Sequence, residues 1–127
     1  MLKNFYTIKS KHTDEKTAKY TLSFNGEHPV YAAHFPNNPI TPGVCLIQIC
    51  KELTENMLCK PLFLQTVKNV KFLKIITPNE IENIEVSLSV MQSELEYIVS
   101  AIISGLEECV FTKLSLVFQP INRQINA

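Results

Sequence analysis

Ten consecutive residues, His34-Phe35-Pro36-Asn37-Asn38-Pro39-Ile40-Thr41-Pro42-Gly43, hold the groups best suited to chemistry. The imidazole of His34 can take and give protons near neutral pH. Gly43 stands at the expected start of a helix. The first amides of a helix lack intrahelical acceptors and lie at the positive end of its dipole. Such an N–H can hold a carbonyl oxygen that gains negative charge during a reaction. Without a side chain, Gly43 also lets a ligand come close to that N–H. A base beside an oxyanion donor is an acid–base arrangement. A lone loop histidine is more often structural, so the reading rests on the residues around it.

Proline positions these groups. Pro29, Pro36, Pro39 and Pro42 all fall between Gly26 and Gly43. Each locks φ and removes a donor, which predicts an irregular but fixed path. Thr41-Pro42 reads as a helix start, with Thr41 as N-cap and Pro42 at the first helical position. The helix is expected over Gly43 to Leu58. Val44, Cys45, Leu46, Ile47, Ile49 and Cys50 put apolar groups on nearly every face of its first two turns, which predicts burial all round. The later turns, Lys51-Glu52-Leu53-Thr54-Glu55, are amphipathic.

Strands are expected on both sides of that helix. Phe5 to Ser10 and Ala18 to Phe24 come first, with Ala18, Tyr20, Leu22 and Phe24 on one face and an exposed turn over residues 11–16. Asn25-Gly26 ends the second strand. Leu62 to Ile76 is long enough for a bent or bulged strand, and Pro78-Asn79 makes a turn. Ile84, Val86, Leu88 and Val90 alternate with Glu85, Ser87 and Ser89. Tyr97 to Ile103 and Val110 to Phe118 follow, joined by Gly105-Leu106-Glu107-Glu108. One buried helix followed by long antiparallel strands predicts an α+β domain, a curved sheet wrapped around the helix.

Composition narrows the function classes. The 127 residues suit one domain spanning 1–127, and 46% are hydrophobic against 19% charged, a globular balance. Lys plus Arg number 12 and Asp plus Glu number 12, so the chain lacks the positive excess of a nucleic-acid or polybasic membrane surface. No apolar run is long enough to span a bilayer, and the start, Met1-Leu2-Lys3-Asn4-Phe5, does not resemble a signal peptide. Cys45, Cys50, Cys59 and Cys109 form no C-x-x-C pair, so buried reduced thiols are expected rather than disulfides or a zinc site. A cytoplasmic location is expected.

The motif His34-Phe35-Pro36-x-x-Pro39-x-x-Pro42-Gly43-Val44 resembles the signature of the hot-dog-fold 3-hydroxyacyl-acyl-carrier-protein dehydratases of bacterial fatty acid synthesis. Pro29-Val30-Tyr31 resembles that family's lead-in, and Val70-Lys71-Phe72-Leu73-Lys74-x-x-x-Pro78 its later strand-and-turn segment. The resemblance implies a hot-dog fold, dimerised with two sheets joined edge to edge. It implies a site at the interface, with the histidine from one subunit and an acid from the partner's helix. The acyl chain and phosphopantetheine arm would run through an apolar tunnel between subunits. His34 would remove the proton α to the thioester carbonyl, and the Gly43 amide would stabilise the enolate-like oxygen. The carboxylic acid would help the 3-hydroxyl leave as water. Phe35, Pro42 and Val44 are the expected substrate contacts, and Phe35 packs on the thioester or anchors the loop. No metal or diffusible cofactor is expected beyond the carrier's pantetheine.

The sequence departs from that pattern at the acid. Fourteen residues on from His34, where the family places Glu or Asp, stands Gln48. An amide can position a hydroxyl, but it delivers no proton at neutral pH. Losing a general acid typically forfeits roughly 10²–10⁴ in rate. Ala33 also stands where relatives usually carry glycine. Three readings follow. Dehydration continues with water or His34 as the acid. Glu52, one turn on, compensates, although a solvated face residue is the plainer account of it. Or the site binds acyl thioesters without dehydrating them, as a subunit of a homomer or heteromer, or serves hydrolysis or isomerisation.

The remaining candidates read as structural. His28 is expected as an exposed loop residue and His12 as part of a charged turn. Cys45 reads as a buried, inert thiol, and Tyr97, Val99, Ala101 and Ile103 as sheet core. An acidic carrier protein would dock near a lysine cluster, for which Lys71 and Lys74 are candidates.

Overall fold

The computed structural model describes residues 2–35, 37–78, 81, 83–105 and 109–121. Strands β1 (Tyr6–Thr13) and β2 (Thr17–Phe24) precede a short helix α1 (Pro29–Ala33) and a long one, α2 (Gly43–Leu58). Strands β3 (Leu62–Phe72), β4 (Ile84–Gln92), β5 (Tyr97–Ser104) and β6 (Val110–Pro120) follow. They form one antiparallel sheet in the order β1-β2-β4-β5-β6-β3, so β1 and β3 are its edges.

The period-2 pattern fixes which face meets the helix. Ala18 pairs with Leu88, Leu88 with Ala101 and Ala101 with Leu114. All four are buried, and the small–large alternation leaves room for α2 above them. Tyr97, Val99, Ala101 and Ile103 are core, as expected. From the helix, Cys45, Leu46, Ile49, Cys50, Leu53 and Thr54 close this core. Burying a Leu or Ile side chain contributes about 1.5–3 kcal/mol, so this stripe holds the helix in place. The α+β hot-dog architecture is the one expected, a six-stranded sheet around one long helix.

Several local expectations are corrected. A single sheet covers only one side of a helix, so α2 is buried along a stripe rather than all round, and Val44 is 72% exposed. Thr41 is not the N-cap. That position falls to Pro42, which makes no side-chain capping bond, while the Thr41 hydroxyl pairs with the Tyr31 hydroxyl at 2.8 Å. The proline-rich stretch is not irregular throughout, because Pro29 opens α1, where a missing N–H costs nothing. The polar residues Lys11, His12 and Thr13 extend β1 instead of forming a turn, since an edge strand can project them into water. Strand β3 ends at Phe72 because the Leu73 and Lys74 amides both turn to the Phe111 carbonyl, at 2.8 and 3.1 Å. Its expected bulges are present, at Leu64/Thr66 and Val67/Asn69. Asn79 of the expected Pro78-Asn79 turn, Leu106 to Glu108 of the β5–β6 connection, and Pro36 lie outside the described residues.

Candidate functional site

Three segments line one cavity of about 520 Å³: the loop at His34, Ile40, Thr41 and Pro42, the start of α2 at Gly43 and Leu46, and the chain leaving β3. That last segment, Phe72 to Ile76, is tied down by the Thr41 amide, which donates to the Ile76 carbonyl at 2.8 Å.

His34 is half-buried, with Nδ1 3.4 Å from the Ile40 carbonyl oxygen. A carbonyl only accepts, so this contact places the ring proton on Nδ1 and leaves the Nε2 lone pair available as a base. The Ile40 amide returns a bond to the His34 carbonyl at 3.0 Å, which closes the loop on itself. The Phe35 ring stacks on the imidazole, centroids 4.4 Å apart, and stays half exposed; the peptide bond between the two residues is cis. Phe35 therefore buttresses the histidine.

Gly43 behaves as a helix N-terminus dictates. The Pro42 carbonyl accepts from the Cys45 and Leu46 amides at 3.0 and 3.3 Å. Among the described residues, the Gly43 N–H donates to nothing. The lack of a side chain has a second cause besides ligand approach. A β-carbon at Gly43 would fall 2.6 Å from Cζ of Phe72, whose ring occupies that space. Nothing in the spacing of the two residues marks this contact, because they meet only through the fold. Pro42 lines the cavity, whereas Val44 points away from the buried stripe into solvent.

Gln48 lies elsewhere, on a second cavity of about 480 Å³ shared with Tyr6, Ile8, Lys51, Glu52, Leu53, Glu55 and Asn56. Glu52 is not a solvated face residue. Its Oε2 accepts from the Leu2 amide at 2.8 Å and from Gln48 Nε2 at 3.0 Å, and its Oε1 accepts from the Tyr6 hydroxyl at 2.8 Å. Burial, and then the Glu52 carboxylate, push the Tyr6 phenol well above the usual tyrosine range, so it remains a donor. Within one subunit His34 and Gln48 do not meet in one cavity.

The other candidates are structural. His28 is half-buried rather than loose, its Nδ1 capping α1 at the Val30 amide (3.1 Å) while Nε2 reaches the Lys3 carbonyl (3.1 Å). Burial raises the Cys45 thiol and pushes Cys50 up to about 12, which keeps both unreactive. Lys74 lines the His34 cavity, and Lys71 lies directly across from Lys113 on the exposed side of β3 and β6. Among the described residues no group of three or more His, Cys, Asp or Glu is placed to hold a metal ion. Nor is any helix among them long and apolar enough to cross a membrane.

Comparison with known proteins places this geometry. A 3-hydroxyacyl-[acyl-carrier-protein] dehydratase FabZ from Wolbachia pipientis wMel is 35% identical over 75 residues, 51% of this chain and 50% of that protein. The chain thus spans about half the length of the dehydratases it matches. In fold it is similar to the dehydratase heterocomplex ApeI:P from Xenorhabdus doucetiae, with a TM-score of 0.77 at 13% identity, covering 89% of this chain and 96% of that one. It is also similar to a hypothetical thioesterase with coenzyme A from Streptococcus pneumoniae TIGR4, with a TM-score of 0.68 at 11% identity, covering 92% and 86%. Residues 9–107 match the model of the ApeI dehydratase family. That span takes in His34, Gly43 and the Gln48–Glu52 pair, and the chain belongs to this ApeI-like family of hot-dog dehydratases.

Proposed function

We propose that this chain is a dehydratase-like hot-dog subunit that binds 3-hydroxyacyl thioesters carried on acyl carrier protein. The observation that carries the reading is one cavity lined by an imidazole with a free Nε2 and by a helix-start amide with no acceptor among the described residues. In the reaction, His34 Nε2 removes the proton α to the thioester carbonyl. The carbonyl oxygen gains charge and is held by the Gly43 N–H. The electron pair then forms the double bond as the bond to the 3-hydroxyl breaks. The proton on His34 passes to the departing oxygen, giving the 2-enoyl thioester and water with nothing left over.

Two subunits make the complete site in this reading. Strand β3 is an edge of the sheet, and it exposes Phe63, Val67 and Phe72. An edge-to-edge dimer would cover them, and in this reading, as the family resemblance implies, the Gln48 face of one subunit serves the His34 cavity of its partner. A second reading is favoured by Gln48 itself. A subunit without the acid suits a heteromer in which a related chain supplies it. The similarity to the ApeI:P heterocomplex supports that arrangement. Thioester hydrolysis has less support, because among the described residues no carboxylate lines the His34 cavity.

The test is reversible hydration of 2-enoyl thioesters by wild type, His34→Ala and Gln48→Glu. Activity in wild type that falls roughly 10²–10⁴-fold in His34→Ala supports the dehydratase. A silent wild type that gains activity in Gln48→Glu supports the binding subunit. Silence in all three overturns a dehydratase scaffold.

A further inference from the structure

Gln48 occupies the acid position, yet its orientation is not free. Its side chain lies one helical turn before Glu52, with Nε2 3.0 Å from Glu52 Oε2. Only the amide's NH₂ end tolerates that neighbour. A flipped amide would press its oxygen against a carboxylate oxygen, two acceptors with no proton between them. Glu52 in turn cannot swing away. The Leu2 amide holds one of its oxygens and the Tyr6 hydroxyl the other, each at 2.8 Å. Three donors from three segments, the N-terminal segment, the start of β1 and α2, thus fix one carboxylate.

The consequence is at the other end of the amide. With Nε2 committed to Glu52, Oε1 is the end left to face the 480 Å³ cavity, and it accepts from nothing among the described residues. Resting on the reading above, in which the Gln48 face of one subunit completes the acyl-thioester site at the His34 cavity of its partner, we propose that Glu52 is a positioning residue. It locks the Gln48 amide with Oε1 displayed, so that this face recognises the 3-hydroxyl of a bound acyl thioester by accepting its O–H. Gln48 is then a specificity-determining contact. It favours 3-hydroxyacyl chains over saturated or 3-keto chains, which have no proton to give at that carbon. A displayed acceptor also opposes departure of the hydroxyl, because it pulls the hydroxyl proton away from the oxygen that must leave as water.

One neutral hydrogen bond made by one ligand and not by the other predicts about a five- to tenfold preference. The experiment measures calorimetric binding of 3-hydroxyacyl and saturated acyl pantetheine thioesters of equal chain length. The readout is the ratio of the two affinities, because a merely structural defect weakens both alike. Wild type should prefer the hydroxy ligand about five- to tenfold. Glu52→Leu, which leaves Gln48 Nε2 without its acceptor and so frees the amide to turn, should bring the ratio close to one. So should Gln48→Met, which keeps the Leu2 and Tyr6 bonds to Glu52 and guards against loss of fold. A ligand-free check is the Gln48 carboxamide proton resonances, which should shift on Glu52→Leu while the far-ultraviolet dichroism stays unchanged. A ratio near one in wild type, or a preference that survives both substitutions, overturns the proposal and leaves acyl-thioester binding standing. Failure of wild type to bind either ligand removes that reading and this inference together.

Discussion

The His34 cavity and the Gln48–Glu52 face lie along the same helix, and they are built in opposite ways. Around His34, polar groups are left under-used. The imidazole makes one long contact of 3.4 Å, and the Gly43 amide has no acceptor among the described residues. The Glu52 carboxylate itself has nothing spare, since both of its oxygens carry donors. Unsatisfied groups are costly in a closed interior but useful where a ligand will complete them. The saturated face can do little chemistry of its own, but it can hold one amide in one orientation. On the function proposed above, the difference separates a half of the site suited to reaction from a half suited to recognition.

The largest effect expected from breaking this contrast is at Gly43. Removing one oxyanion donor typically costs 10²–10³ in rate. Gly43→Pro deletes the N–H while keeping the local backbone. Pro42 already has φ −64° and ψ 143°, the extended conformation that a following proline requires, and proline is at home in the first helical position. Gly43→Ala is its control, because both substitutions add the β-carbon that meets Phe72 at 2.6 Å, yet only proline removes the amide. Enoyl-thioester hydration should fall at least about 10²-fold further in Gly43→Pro than in Gly43→Ala. Equal losses would reduce Gly43 to a seat for the Phe72 ring.

How far the sequence disclosed all this depends on the range of each interaction. The sheet was legible because strand alternation is local, and Tyr97, Val99, Ala101 and Ile103 declare their face by spacing alone. The His34–Gly43 loop was legible through its prolines, which constrain their own residues. What escaped needed partners far apart in the chain. The Tyr31–Thr41 pair displaces the N-cap, the ring of Phe72 fills the space above Gly43, and Glu52 gathers Leu2 and Tyr6 from about fifty positions away. Glu52 looked solvated because an amphipathic helix turn does not reveal that the N-terminal segment will cross it. Val44 misled in the other direction, since an apolar side chain does not announce that its side of the helix lacks a sheet.

A second expected effect sharpens the contrast through pH. Burial raises the phenols of Tyr6 and Tyr31, the latter up to about 12, against an ordinary value near 10. The unfolded chain therefore releases these protons first. Above about pH 10 the folded state holds more protons than the unfolded one, so stability falls as pH rises. Below that the two phenols contribute no slope. Urea denaturation should show the phenols' share of the loss developing between about pH 10 and 12, on top of the share that the buried Cys50 thiol adds from about pH 9. Tyr6→Phe and Tyr31→Phe should each flatten part of it, at the cost of a bond to Glu52 or to Thr41. A flat alkaline profile in wild type would mean that the two phenols are not buried in solution.

The smallest expected effect concerns Thr112, which lies across from Phe72 on β6, behind the reactive half. Among the described residues its hydroxyl is fully buried and has no partner. Here an under-used polar group is sealed from any ligand by the sheet, unlike the Gly43 amide that lines a cavity. A buried, unsatisfied hydroxyl costs about 1–3 kcal/mol, and valine fills the same volume without it. Thr112→Val should therefore raise unfolding stability by about 1 kcal/mol, read as a higher urea midpoint at unchanged m-value. It should leave thioester binding as it is. Stabilisation with lost binding would mean that the acyl chain reaches Thr112 when Phe72 moves, and the boundary between core and cavity would then have to be redrawn behind that ring.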